Sequence, residues 1–200
     1  MDLWEIERGL LCEGYDIICG VDEAGRGPLA GPVFAAAVIL PINLALPGLN
    51  DSKKLSAAVR EELFSEIALK SSAYAVASAD NFEIDRLNIL GATYLAMNRA
   101  ISMLSTQPHL AIIDGNKDAG IELNSRCIVG GDGKSASIAA ASILAKVCRD
   151  KYMTEMAELY QGYGFERHKG YGTKAHYEAL GRLGPCVIHR ETFLKKWNNR

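Results

Sequence analysis

The chain has 200 residues, 48% of them apolar, and a formal net charge of −2. That is enough chain to bury a core without staples, and it holds no apolar run of the roughly 18 residues that a membrane span needs. Its cysteines, Cys12, Cys19, Cys127, Cys148 and Cys186, are scattered without a C-x-x-C pair, which argues against a zinc site or disulfide framework; with an acidic, mixed start unlike a secretory signal, this makes a cytoplasmic protein the expectation.

In chain order, residues 3–13 read as a short helix. Ile17 to Val21 is an apolar, β-branched run that reads as a buried strand. Gly25 to Pro32 is dense in Gly and Pro, hence a turn, and Val33 to Leu40 is a second strand, although its alanines leave a helix possible. After a loop at 41–51, Ser56 is placed as the N-cap of a helix reaching about Lys70. Tyr74 to Ala79 is a third strand and Asn88 to Leu104 a helix that ends before Pro108. Leu110 to Ile113 is an apolar run stopped by Asp-Gly, a fourth strand, and Arg126 to Val129 a fifth. A long, alanine-rich helix spans Ser135 to Tyr160, and further helices are expected near 173–182 and 190–197. Strands interleaved with helices give an α/β or α+β domain around one sheet.

The small net charge hides an asymmetry. Residues 1–160 carry 14 Lys+Arg against 21 Asp+Glu, whereas residues 161–200 carry 8 against 3 and hold three of the four histidines. A basic segment beside an acidic body suits a protein that holds a polyanion near a metal site, and a solvated basic tail fits the charges equally well. The expected organisation is a sheet domain at 1–160 with a basic helical region at 161–200 packed on it.

The acids at strand ends carry the chemistry. Asp22 and Glu23 follow the first strand, Asp114 ends the fourth before a glycine, and Asp132 sits between glycines ahead of the long helix. Any one of these is an ordinary turn residue. Together they describe clustered like charges, which a fold tolerates only with raised pKa values or a cation. Carboxylate oxygens suit the hard ions Mg²⁺ and Mn²⁺, and two such ions could activate water against a phosphodiester. Neighbouring strand residues point to opposite faces, so Asp22 and Glu23 share a site only if the chain turns there. Gly25-Arg26-Gly27 is no dinucleotide loop, because Ala occupies position 30 and Pro28 intrudes; its backbone can instead approach a sugar hydroxyl.

The motifs Gly20-Val-Asp-Glu-Ala-Gly-Arg-Gly-Pro28, Asp51-Ser-Lys-Lys-Leu-Ser56, Ile113-Asp-Gly115, Ser137-Ile-Ala-Ala-Ala-Ser-Ile-Leu-Ala-Lys-Val147 with Arg149-Asp150, and His168-Lys-Gly-Tyr-Gly-Thr173 with His176 closely resemble bacterial ribonuclease HII. The resemblance implies the ribonuclease H-like fold, with a mixed five-stranded sheet flanked by helices and a helical C-terminal region. It implies an endonuclease that hydrolyses the RNA strand of RNA/DNA hybrids and cuts 5′ of a single ribonucleotide embedded in duplex DNA. Asp22, Glu23, Asp114 and Asp132 match the family's catalytic, metal-binding acids, served by two Mn²⁺ or Mg²⁺ ions. Gly25, Arg26 and Gly27 match the turn that senses the ribose 2′-OH. Tyr171 matches a tyrosine that stacks on the sugar past the junction; residue type alone would not separate it from Tyr163, which sits in the same Gly-Tyr-Gly setting. Lys53 and Lys54 are candidate phosphate contacts.

His168 and His176 are expected in phosphate or structural roles, Ser137 and Ser142 in helix packing, and Trp4 and Trp197 as anchors of the termini. A monomer acting on hybrid and junction duplexes, without membrane contact, is expected. The last residues, Lys195 to Arg200, are too short to read as a clamp-binding tail. A ribonuclease HIII-like enzyme is the nearest alternative, although it usually carries an extra N-terminal domain. A binding protein without activity is the other, and it would not need to keep four costly acids.

Overall fold

A computed structural model describes residues 2–198, with side chains described to Lys195. Five strands form one mixed sheet in the order β3-β2-β1-β4-β5. They are β1 (Ile18–Ala24), β2 (Val33–Ile39), β3 (Ala73–Ala79), β4 (Leu110–Asp114) and β5 (Ser125–Ile128). β2 pairs antiparallel with both β1 and β3, whereas β4 pairs parallel with both β1 and β5. The alanine-rich second strand is a strand because it lies between β1 and β3, where small and β-branched residues pack on both faces.

Two helices cover opposite faces of the sheet. On one, α3 (Asn81–Ser102) packs against Cys19, Val21, Ala35, Ala37, Ala111 and Ile113. On the other, α4 (Ala136–Leu159) and α2 (Ala57–Lys70) enclose Ala36, Val38 and Leu40. The first half of α4 is alanine-rich because it lies directly on the central strand: a Cβ on Gly20 would sit 2.1 Å from the Ser137 carbonyl carbon. Helix α1 (Glu5–Cys12) docks through buried Glu7, whose carboxylate accepts bonds from Ser135 Oγ at 2.6 Å and Ser137 N–H at 3.0 Å. An acidic group there caps the start of α4 and complements its dipole.

The chain after 160 forms three short helices, α5 (Phe165–His168), α6 (Lys174–Leu183) and α7 (Glu191–Asn198). The apolar side chains of this region, Phe165, Leu180, Leu194 and the loop residue Ile188 among them, share a cluster with Leu29, Ala30 and Met153. The region is therefore tied both to the end of α4 and to the turn after β1. Among the described residues, no helix is long and apolar enough to cross a membrane.

Two elements differ from the sequence expectation. The third helix begins at Asn81 rather than Asn88, with Asp80 and Glu83 forming a reciprocal capping box. Asn88 breaks it with φ 60° and restarts it, its Oδ1 accepting from the N–H groups of Leu90 and Gly91. The expected start is thus the cap of a second half. The single turn α5 was not expected, being too short to leave a periodic signal. Trp4 is half-buried against the α4-side cluster; the side chain of Trp197 lies outside the described residues.

Gly20→Ala puts a methyl group into backbone that neither β1 nor α4 can withdraw. We expect it to lower the unfolding free energy by about 3 kcal/mol or more, read from the urea midpoint. A midpoint equal to the wild type would refute the close approach of strand and helix.

Candidate active site

The parallel pairing of β1 with β4 matches Val21 to Ile113, so Asp22 and Asp114 follow side by side. Asp132 arrives on the 3₁₀ turn Gly131–Gly133, which β4 holds directly: Asp114 Oδ1 accepts from the Gly131 N–H at 2.7 Å. One carboxylate oxygen from each of Asp22, Asp114 and Asp132 lies within 4.8 Å of the others. Glu23 stands outside that group. Strand alternation turns Asp22 toward α4 and Glu23 toward α3, where Glu23 borders a cavity lined by Thr93, Tyr94 and Met97. It also lines a cavity of about 280 Å³ that holds Asp22, Asp114, Gly25, Arg26, Gly27, Lys53, Ser142, Lys146, Arg149 and Tyr171. Of the expected residues, Lys54 is not brought in; it is exposed and pairs with Asp51 at 3.8 Å.

The electrostatics are those of crowded acids. Burial, then Glu23 and Asp114, push the Asp22 carboxyl well above the usual carboxylate range. Burial raises Glu23 as well, against the pull of Arg26, whose guanidinium lies 3.4 Å away. Burial and then Asp114 raise Asp132. Lys53 offsets part of this, its ammonium lying 3.4 Å from Asp132 Oδ2. Burial alone would lower the Lys53 pKa, but Asp132 and Asp22 outweigh it and the net shift is upward. Lys53 is placed by Asp51, whose Oδ1 caps the 3₁₀ turn Ser52–Lys54. Three convergent oxygen donors with one lysine between them fit a hard divalent cation in chemistry and in spacing.

The Gly25 turn is built by close approach. Gly25 has φ +99°, and a Cβ there would lie 2.0 Å from Arg149 Nε, so no other residue fits. Tyr171 is 45% exposed at the cavity edge, with the Arg149 guanidinium 5.9 Å from its ring centroid. The competing Tyr163 is buried, bonded to the Gly184 carbonyl at 2.6 Å and stacked on Phe165. Geometry thus separates two tyrosines that local sequence could not.

The histidines take structural places. His168 bonds the Tyr163 carbonyl, His176 bonds the Tyr171 carbonyl, and their rings stack with centroids 4.5 Å apart. Ser142, read from sequence as packing, instead pairs with Ser52 at 2.7 Å beside Asp22 and lines the cavity. Lys146, which the sequence motif contains without a stated role, also lines the cavity; its place four residues after Ser142 on α4 is the signal for it.

A family model described as ribonuclease HII matches residues 19–197. Among curated relatives, ribonuclease HII of Caldicellulosiruptor bescii is 56% identical over 192 residues, covering 96% of this chain and 93% of its own. Ribonuclease HII of Endomicrobium trichonymphae is 56% identical over 193 residues, covering 96% and 92%. Among solved structures, the ribonuclease H2 of Pyrococcus horikoshii OT3 superposes with a TM-score of 0.72 at 26% identity, over 88% of this chain and 93% of that one. The ribonuclease HII in a complex with PCNA from Archaeoglobus fulgidus gives 0.68 at 24%, over 88% and 94%; at that identity the likeness is one of fold.

A carboxylate whose pKa is raised by folding destabilises the folded state once pH exceeds its unfolded value, here near 3.8. Asp22→Asn is therefore expected to raise the metal-free melting temperature at pH 7 by roughly 2–4 °C, the shift that about 1 kcal/mol gives a chain of this size. The gain disappears toward pH 3. Mn²⁺ or Mg²⁺ should stabilise the wild type more than this variant. A variant that melts below the wild type in chelator at pH 7 would contradict the charge-crowding account.

Proposed function

The chain belongs to the ribonuclease HII family and is an endonuclease of the ribonuclease H type acting on RNA/DNA hybrids; from that premise we propose that it also cuts 5′ of a single ribonucleotide embedded in duplex DNA, with two divalent ions, Mg²⁺ or Mn²⁺. The observation that carries this reading is one cavity that joins Asp22 and Asp114, two of the three clustered acids, to the glycine turn and the exposed Tyr171.

In the proposed reaction, water attacks the phosphorus and the P–O3′ bond breaks. The upstream nucleotide leaves with a 3′-OH and the ribonucleotide keeps a 5′-phosphate. The bound cations supply Lewis acidity and neutralise charge on the phosphate. Asp22, the most buried acid of the three, would hold the cations together with Asp114 and Asp132. Glu23, on the other face of the strand, is suited to a ligand atom at the rim or to the 2′-OH. Lys53, exposed at the cavity beside Asp132, would neutralise phosphate charge.

Selection is assigned to the turn and the tyrosine. The 2′-OH is the group that distinguishes RNA from DNA at one position, and the polar backbone of Gly25–Gly27 can read it without reading the base. The Tyr171 ring offers a sequence-tolerant stacking surface for the next sugar, where a deoxyribose packs without a hydroxyl in the way. The domain reading follows: residues 1–160 supply the acids and the turn, while residues 161–200 supply Tyr171 and positive charge for the duplex.

The test is a duplex with one ribonucleotide, incubated with Mn²⁺ or Mg²⁺ and with chelator. Cleavage 5′ of the ribonucleotide is expected, abolished by chelator. Asp22→Asn should lose well over about a hundredfold in rate, because even groups behind metal ligands are worth roughly 10–100-fold, while still binding the duplex. Tyr171→Ala should weaken the junction substrate by the about 1–3 kcal/mol that stacking supplies. A wild type that degrades long hybrids but spares the single ribonucleotide would refute the junction assignment.

A further inference from the structure

Two guanidinium groups, those of Arg149 and Arg190, are almost wholly buried next to the Gly25 turn, and neither forms an ion pair among the described residues. Buried charge without a counter-charge is expensive. Their donors go to backbone carbonyls instead. Arg190 Nη2 donates to the Gly25 carbonyl at 2.6 Å, Nη1 to Arg26 at 2.9 Å, and Nε and Nη2 to Gly31 at 2.9 and 2.7 Å. The planar fork thus clasps the turn at both ends. Burial and then Arg149 push Arg190 down to about 9, so it keeps its charge at neutral pH.

The residue before it holds the other selector. The Tyr171 carbonyl can only accept, so His176 Nδ1 carries the proton in their 3.0 Å bond. Burial lowers His176 to about 4, so its ring is neutral and Nε2 is an acceptor. His189 Nε2, 3.0 Å away, must then donate, which leaves His189 Nδ1 to accept from the Cys186 N–H at 2.9 Å. The tautomer of each ring is set by a backbone group at either end. One directed relay therefore runs from the Cys186 backbone to the Tyr171 backbone.

The strands of chain between these points are cross-bonded as well. Leu29 N–H donates to Gly170, Gly31 N–H to Ile188, and Arg190 N–H to Leu29, all at 2.8–2.9 Å. We propose that His189 and Arg190, consecutive residues in the loop before α7, are positioning residues that fix the distance between the Gly25–Gly27 turn and the Tyr171 ring. This spacing is what a ribose followed by a deoxyribose must match. The proposal rests on the reading of the turn and Tyr171 as selectors. It assigns a specificity-determining role to a dipeptide whose side-chain hydrogen bonds go to backbone groups, Cys186 and His176, not to the clustered acids.

The consequence is substrate-specific. A single embedded ribonucleotide has one productive register and must meet both selectors at once. A continuous hybrid offers many registers and no deoxyribose for Tyr171 in the cut strand. A misplacement of about 1 Å can cost up to about a hundredfold in rate where geometry is demanding.

The experiment compares kcat/KM on the single-ribonucleotide duplex and on a continuous hybrid. Arg190→Lys keeps the charge but not the fork. His189→Asn keeps an acceptor for Cys186 but cannot reach His176, whereas His189→Gln keeps a donor toward His176. Arg190→Lys and His189→Asn should each lose roughly tenfold or more on the junction substrate and less than about threefold on the hybrid, with His189→Gln recovering most of the loss. Equal loss on both substrates by folded Arg190→Lys and His189→Asn, or no loss by either, overturns the proposal. If Arg190→Lys fails to fold, the two His189 variants decide it alone. Tyr171→Ala is measured alongside. If it shifts the substrate ratio and the positioning variants do not, only the positioning role falls; if it leaves the ratio unchanged, the selector reading falls and the proposal with it.

Discussion

Three carboxylate groups held within 4.8 Å oppose folding by themselves, and much of the molecule is arranged around that repulsion. The parallel β1–β4 pair sets two of the acids side by side, and an N–H from the Gly131 turn fixes the second while delivering the third. Burial of Asp22 removes water that would otherwise screen it from the other two, less buried acids. Lys53 gives partial relief from a loop on the far side. Such a cluster is destabilising without a cation and strongly attractive to one, so stability is given up locally to obtain binding. The close contact at Gly20 supports this arrangement. It locks the central strand to α4 two residues before Asp22, leaving the acid no slack through which to escape the crowding.

Next to this negative group lie two buried positive ones. Arg149 and Arg190 do not approach the acids closely enough to pair with them. They are spent on carbonyl oxygens of residues 25–32 and 169. A loop so rich in glycine would ordinarily sample many conformations, and short apolar side chains cannot hold it. Multiple charge-assisted bonds from one planar group can. The turn is rigid because of residues more than a hundred positions away, not because of its own sequence.

That separation explains what the sequence could and could not reveal. The strands were legible as short apolar runs, and Asp114 stood out because its run ends in Asp-Gly. The strand order was not; the resemblance implied a mixed five-stranded sheet, which is observed, and the order β3-β2-β1-β4-β5 is read from the structure. The acids were legible as a set, but not the partition in which Asp132 joins Asp22 and Asp114 while Glu23 faces α3; that depends on strand pleat and on the Gly131 hydrogen bond. The start of α3 was legible in principle, since Asp80 and Glu83 have the capping-box spacing, yet the polar stretch around them masks the helical period. Arg149, Arg190 and His189 were not legible in their roles. Their partners are backbone groups, which have no sequence signature, and Lys54 shows the converse, a motif residue that the fold leaves in solvent.

On the proposed reading, cutting and choosing have different foundations. The acids rest on β1, β4, the 3₁₀ turn at Gly131–Gly133 and the first half of α4, all within the first 150 residues. The selectors rest on a junction between residues 25–31, 168–171 and 186–190, closed by contacts that span up to 165 positions. Such contacts are costly in chain entropy and form only when both ends are already placed. The junction that ranks substrates is therefore held by long-range polar bonds laid over the apolar cluster of Leu29, Phe165, Leu180 and Ile188. Substitutions there can alter which junction fits while the carboxylate group keeps its geometry, whereas substitutions around Gly20 or Asp114 reach the chemistry itself.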